Sequence, residues 1–285
     1  MHCYPAENIV PLLTYCLDPP CLIFQYMESG SLYGKLKSTR NPLNWKERAN
    51  IALGISRGLH HLHGNNIVHG DIKSPNILLD KHLEPKIGDF GTVKILYNVD
   101  GKETTSLGIP NLSGTAYYLP KWLLEQPFKK SIRKAVDVYS FGIVIFEIMS
   151  GRLPSDKDTQ NHTLRQFVDT EIGNHPVPPQ EYIAPIDSDN RSFQVDTKHG
   201  ITLLDWPYFL YLIVRRCCLV DERQDNSKPW VQMPTIVQLH QEIDSVTIYS
   251  RRNLGEAVIP EEETEKSMEE IVKSLQNVEM RDSVS

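Results

Sequence analysis

The chain has 285 residues, 40% of them apolar and 8% aromatic, which is enough for one large packed domain or two small ones and excludes global disorder. The formal net charge is −6, and residues 256–285, with nine acids against three bases, carry all of it. Residues 1–255 balance at 27 acids and 27 bases, so no basic field argues for nucleic acid as a partner. Five cysteines are sparse for this length and form no C-x-x-C pair, the usage expected of reduced thiols in a cytosolic protein.

In chain order, the residues after Met1 lack the basic start and apolar core of a signal peptide. Ile9–Leu13 and Cys21–Met27 are apolar runs separated by Asp18-Pro19-Pro20, which predicts a strand pair. Glu28 to Ser31 reads as a linker into a short helix, Leu32 to Lys37. Asn44 with Glu47 three residues later predicts a capped helix start. Trp45, Ala49, Leu59 and Leu62 follow at helical spacing, and Gly64 reads as the stop. Ile67-Val68, Ile77–Leu79 and Pro85–Ile87 read as short strands, and the polar stretch Thr92 to Thr115 as one long loop. The apolar run Ala135–Met149 contains Asp137 and Glu147 and falls short of the roughly 20 residues of a membrane span, so a buried helix and no transmembrane segment is expected. Residues 155–200 have weak periodicity, with a helix expected only over Thr163–Ile172; apolar helices are expected over Leu203–Leu219 and Pro234–Ile243. Met268, Ile271, Val272, Leu275 and Val278 form a helical stripe in the acidic tail, suited to packing on its own domain or on a partner.

The chemistry concentrates in His69-Gly70-Asp71-Ile72-Lys73-Ser74-Pro75-Asn76, followed after twelve residues by Asp89-Phe90-Gly91. Phosphoryl transfer needs in-line positioning, cations on the phosphates and an acceptor for the substrate hydroxyl proton. An Asp, a Lys two residues on and an Asn three beyond that supply these from one short loop, and the second Asp completes a magnesium site. Four histidines, His60, His61, His63 and His69, fall within ten residues but lack the Cys or carboxylate companions of a zinc site, so structural roles are expected, with His69 beneath Phe90. Thr104, Thr105 and Ser106 read equally as phosphosites or as solvated loop residues.

These motifs, with Gly114-Thr115 and Asp137-Val138-Tyr139-Ser140-Phe141-Gly142, resemble the protein kinase family. Pro20 to Leu32, Trp45–Arg48, His69–Lys73, Pro85–Gly91 and Tyr118-Leu119-Pro120 resemble Pelle and the interleukin-1-receptor-associated kinases in particular. The resemblance implies an α+β, protein kinase-like fold: a mainly helical C-lobe with only the last strands of the N-lobe. Residues 1–27 would be the N-lobe remnant and hinge. Residues 28–248 would be the C-lobe, with activation segment 89–121 and an irregular insert at 155–205, and 249–285 an acidic tail. It implies Asp71 as base, Lys73 on the γ-phosphate, Asn76 and Asp89 as magnesium ligands, and Thr115 with Lys73 as marks of serine/threonine specificity. Phe24 would be the gatekeeper, Met27 would face adenine and Leu78 would form the adenine floor. The cofactors implied are ATP and Mg²⁺, and the partners are protein substrates and receptor-complex adaptors bound through parts not present here. The setting implied is cytoplasmic, with recruitment to plasma-membrane receptor complexes of the Toll and interleukin-1 type.

Departures from the pattern matter as much. No G-x-G-x-x-G stands before residue 9, and Glu7 lies too close to the fourth strand to be the Glu of the usual Lys–Glu pair. ATP binding by this chain is therefore expected to be weak, since electrostatic preorganisation depends on excluding water. A non-catalytic or dominant-negative interaction module, and a mis-called start of a longer kinase, remain open readings. Gly70 replaces the Arg that receives an activation-loop phosphate. Thr92 stands where Leu is usual. Lys121 replaces a segment-closing Glu whose partner position maps to Lys228, which predicts repulsion and a looser segment end, with Glu125 near enough to compensate.

Overall fold

The computed structural model describes residues 6–99, 102–105, 116–125, 134–156, 163–175, 177–185, 192–197, 200–218 and 234–253. The tail stripe, Thr115, Ser106 and Lys228 lie outside the described residues, as do the side chains of Thr104, Thr105 and Glu125.

The first strand pair forms, with shifted bounds. β1 (Leu12–Leu17) and β2 (Pro20–Phe24) are antiparallel, with an irregularity between Leu12 and Thr14. The expected start at Ile9 is corrected. Pro11 has no N–H for a ladder, and the chain before it pairs elsewhere: Val10 N–H donates to Ile87 O at 2.9 Å and Ile87 N–H to Asn8 O at 2.9 Å. Gln25 N–H still reaches Pro11 O at 3.0 Å, which ends the hairpin and leaves Gln25–Met27 as the connector.

α1 (Leu32–Lys37) is capped by Ser31, whose hydroxyl accepts from Gly34 N–H at 3.2 Å. α2 (Trp45–Gly64) begins with the predicted capping box: Asn44 Oδ1 accepts from Glu47 N–H, and Glu47 Oε2 accepts from Asn44 N–H, both at 2.9 Å. β3 (Ile67–Val68) follows, then the antiparallel pair β4 (Ile77–Leu79) and β5 (Pro85–Ile87). All three strands stand where the apolar runs predicted.

The long loop expected from Thr92 is corrected. β6 (Lys94–Val99) pairs with β3, and β7 (Lys102–Thr105) pairs with β6, both antiparallel. Alternation decides the first pairing: Ile95 is exposed while Leu96 is buried and donates its N–H to Asn66 O at 2.8 Å.

α3 (Lys121–Glu125) leads to α4 (Lys134–Ser150), in which every residue from Val136 to Ser150 is buried. A helix apolar all round must lie inside a protein or a membrane. Here α2, α6 and the segment around Tyr182 cover it, and among the described residues no helix is long and apolar enough to cross a membrane. Arg48 ties α2 to α4: its guanidinium stacks on Trp45 and donates to Leu43 O and Ile148 O, and burial pushes its pKa down to about 10.

α5 (Leu164–Thr170) has its own capping box from Thr163 and Gln166, close to the predicted bounds. The insert expected to be otherwise irregular also holds β8 (Ser192–Thr197) and β9 (Gly200–Asp205), an antiparallel hairpin. α6 (Trp206–Cys218) therefore starts three residues later than expected, with Pro207 tolerated in its first turn. α7 (Ile236–Asn253) runs past residue 248, through the expected start of the acidic tail.

One core joins these helices, centred on Trp45, Ile55, Phe141, Phe146, Tyr182 and Phe209. Each such side chain removed from water contributes about 1.5–3 kcal/mol. α4 and α6 pack closely at Gly142, where an added Cβ would stand 2.5 Å from Cys217 Cβ and 2.7 Å from Cys218 Sγ. Gly142→Ala is therefore expected to force the helices apart. A loss of about 1–3 kcal/mol, read as a lower urea midpoint, is the outcome; an unchanged midpoint would mean the crossing yields without strain.

Candidate active site

The loop between β3 and β4 is held from beneath by one buried carboxylate. Asp137, on the first turn of α4, accepts from His69 N–H at 2.8 Å, from Gly70 N–H at 2.8 Å and from the His63 ring at 2.9 Å. The two N–H groups are consecutive and converge on one carboxylate, and directly after them Gly70 takes the chain through the left-handed region at φ +77°. Gly70 thus has a conformational reason to be glycine, beyond the missing Arg that the sequence reading attached to it.

From that base the loop presents its side chains. Lys73 Nζ lies 2.7 Å from Asp71 Oδ2, and Asn76 Nδ2 donates to the same oxygen and to Asp71 O, each at 2.9 Å. A short 3-10 turn over Ser74–Asn76, started by Pro75, brings Asn76 back over Asp71. Asp71, Lys73 and Asn76 are therefore one cluster. Asp89 joins through backbone: Gly88 N–H donates to Asn76 O at 2.9 Å, and the His69 ring bonds Gly88 O at 3.0 Å. Asp89 itself is exposed, in the left-handed region at φ +59°, with its Oδ1 accepting from Gly91 N–H at 3.4 Å.

His69 is fully buried and stacks edge-on against Phe90 at 5.2 Å, as expected. Its ring donates to a carbonyl through Nε2 and accepts from Asp71 N–H at Nδ1, 3.3 Å away, so the neutral Nε2–H tautomer fits both contacts. Burial holds its pKa below the ordinary histidine value. Thr92 donates its hydroxyl to His69 O at 3.0 Å, a bond that the usual Leu could not make. No group of three His, Cys, Asp or Glu able to hold a metal occurs among the described residues; the His63 ring bonds Asp137, the His69 ring bonds Gly88 O, and the His60 ring lies 5.3 Å from that of His240.

The predicted adenine-side residues lie where β2 and β4 meet the connector. Leu79 N–H donates to Gly30 O at 2.8 Å and Ser29 N–H to Leu79 O at 3.0 Å, which sets the connector beside β4. Met27 is buried and its carbonyl accepts from Gly30 N–H at 3.1 Å; Leu78 is half-buried beside Gly88, and Phe24 is 41% exposed. Thr115 lies outside the described residues.

Sequence reasoning assigned no role to Asp137, Glu147, Ser74 or Arg165. Glu147 is fully buried on α4, and its Oε1 accepts from Ser74 Oγ at 2.8 Å and Tyr118 OH at 2.9 Å, linking the loop to the Ala116–Tyr118 turn. Desolvation pushes its pKa up to about 8. Arg165 on α5 donates to Tyr117 O at 3.1 Å and to Leu119 O, bonds Asp169 at 2.8 Å, and stacks on Tyr139. The Lys121–Lys228 repulsion cannot be located, because Lys228 lies outside the described residues, but residues 117–119 are gripped by Arg165. The legible signal was two lone acids, Asp137 and Glu147, in an otherwise apolar helix.

The family model described as protein tyrosine and serine/threonine kinase matches residues 1–186. The chain belongs to the protein kinase family. This kinase chain is 39% identical over 180 residues to the Pelle-like serine/threonine-protein kinase pik-1 of Caenorhabditis elegans, covering 59% of this chain and 36% of that protein. It is 39% identical over 175 residues to the serine/threonine-protein kinase pelle of Drosophila melanogaster, covering 57% and 33% respectively. It is 41% identical over 158 residues to the systemin receptor SR160 of Solanum peruvianum, covering 53% and 12%. The chain spans about a third or less of the length of these relatives. The helix-rich body with few strands is the large lobe of the kinase fold, and β1–β2 are the small-lobe strands among the described residues.

Two outcomes test the supports of this kinase's loop. Asp137→Asn turns one acceptor into a donor facing a donor, and is expected to lower stability by at least about 2 kcal/mol, measured by urea unfolding. Glu147 binds its proton more tightly folded than unfolded. Its contribution to stability is therefore complete below about pH 4.5 and is lost as pH rises through about 8. Melting curves across that window should show the unmodified chain losing stability relative to Glu147→Gln; parallel curves would contradict the buried, protonated carboxyl.

Proposed function

We propose that this chain is the catalytic-lobe portion of a Pelle-like serine/threonine kinase, moving the ATP γ-phosphate to protein serine or threonine hydroxyls. The observation that carries the reading is the Asp71–Lys73–Asn76 cluster, tied through Gly88 to Asp89. Asp71 orients the substrate hydroxyl and takes its proton. Lys73, held at the same carboxylate, offers positive charge to the transferring phosphoryl group.

The donor set suits magnesium. Asn76 spends its N–H₂ on Asp71 and keeps its amide oxygen as the donor to a cation, while the exposed Asp89 carboxylate supplies hard oxygen. One or two such side chains plus substrate phosphates make the usual magnesium site. Mg²⁺-ATP would bring the phosphoryl group and neutralise charge on its oxygens. Met27 and Leu78 would line the adenine side, with Phe24 as gatekeeper, and Thr115 would stand with Lys73 at the substrate end. In this reading the protein works in the cytosol in Toll or interleukin-1-receptor-type signalling, and adaptors recruit it to receptor complexes through parts outside this sequence.

A second reading is a non-catalytic docking module. It is favoured by the openness of the adenine side, where Phe24, Ile23 and Leu22 are 41%, 45% and 60% exposed.

Radiolabel transfer to a generic serine/threonine substrate, with titration of Mg²⁺-ATP binding, separates the two. For the catalytic reading, Asp71→Asn should lower transfer at least a hundredfold with the fold unchanged, as expected for loss of a positioned base. Asn76→Ala should raise the magnesium needed. Transfer that survives Asp71→Asn sinks the base assignment, and absence of transfer with intact folding favours the docking module.

A further inference from the structure

We propose that Cys16 and Cys21 form an oxidisable dithiol that a hydroperoxide converts to a disulfide across the β1–β2 hairpin. The register places the two residues directly opposite each other, one rung from the Asp18-Pro19 turn. Opposed residues of an antiparallel pair point to the same face with Cα atoms about 4.5–5.5 Å apart. A disulfide accepts Cα separations of about 4.4–6.8 Å and Cβ separations of about 3.5–4.5 Å. The two Cα ranges overlap, so the register is compatible with a disulfide.

Both sulfurs are free thiols; Cys21 is exposed and Cys16 half-buried. The Cys16 thiol donates to Asp18 O at 3.2 Å, which parks it at the turn end of the hairpin. Cys217 and Cys218 are also free thiols but are buried against α4, and desolvation pushes their pKa values upward. Reagent in solvent therefore meets the hairpin pair and not the core pair. The five-residue spacing hides the relation in the sequence, and only the register reveals it.

The chemistry balances without a further reactant. The more exposed Cys21 attacks the peroxide, breaking the O–O bond; a sulfenic acid forms and water leaves. Cys16 sulfur then attacks Cys21 sulfur, the S–S bond forms, the S–OH bond breaks and a second water leaves. Two thiols lose two electrons and two protons, and one hydrogen peroxide becomes two waters.

The consequence follows from how little else holds this hairpin. Every residue of β2 is exposed, and a two-stranded ladder alone is marginal in water. A covalent rung fixes β1 against β2 immediately before the Gln25–Met27 connector. The site depends on the hairpin's register and not on the phosphoryl-transfer reading.

Peptide mapping of the full chain tests the proposal. The protein is treated with hydrogen peroxide, alkylated, and digested with chymotrypsin, which separates Cys3 from both partners. The expected result is a species joining Cys16 to Cys21, lighter by two hydrogens, with matched loss of alkylation at both and recovery of both thiols on reduction. Backbone amides of β1 and β2 should exchange more slowly when oxidised. In Cys21→Ser, Cys16 should stay fully alkylatable. Sulfinic acid at Cys21 with Cys16 still alkylatable, a link of either to Cys3, a cross-linked dimer, or no oxidation at either sulfur would each overturn the pairing.

Discussion

The Asp137 carboxylate is fully buried and meets three donors, two from consecutive backbone amides of the His69–Gly70 turn and one from the His63 ring. A carboxylate taken out of water costs several kcal/mol unless its lone pairs are filled. That demand fixes the turn. It orients His69 and Gly70, and so sets the direction in which Asp71 leaves the core. α4 can carry such a charge because the rest of the helix, from Val136 to Ser150, is sealed by α2 and α6. The loop is therefore positioned by a helix buried along nearly its whole length.

A second carboxyl on the same helix performs a related task one layer out. Glu147 joins Ser74 of the loop to Tyr118 in the segment just before α3. Arg165 then fastens the next residues, 117–119, through their carbonyls, with Asp169 and Tyr139 holding the guanidinium in place. Loop and segment are thus coupled to α4 and α5 by short polar ties. The Glu147 ties are buried, in low-dielectric surroundings where an unpaired group would be costly.

The small-lobe side has a different physical character. The core side chains of α2, α4 and α6 bury almost completely, whereas Leu13, Tyr15, Leu17, Leu22 and Tyr26 stand 60% or more exposed. The hairpin keeps its shape through the β1–β2 ladder and the Gln25–Pro11 bond, and reaches the body through the bonds of Asn8 and Val10 to β5 and of the connector to β4. Local stability should grade accordingly, highest around α4 and lowest at the hairpin.

Several features were legible in the residues alone, because each rests on local chemistry. The capping box at Asn44, the short strands Ile77–Leu79 and Pro85–Ile87, and the order Asp71, Lys73, Asn76, Asp89 depend on neighbours within a few positions. Family membership was legible for the same reason, as spaced motifs. What the sequence could not determine was every relation between distant segments. Pro11 diverts the first strand to β5. Ile95 and Leu96 turn an expected loop into a strand by pairing with β3. Asp137 and Glu147 look like isolated charges until folding brings His69, Ser74 and Tyr118 to them. Cys16 meets Cys21 only through strand register. Local patterns report turns and helices, but burial and pairing depend on which surfaces exclude water together, and only the tertiary structure decides that.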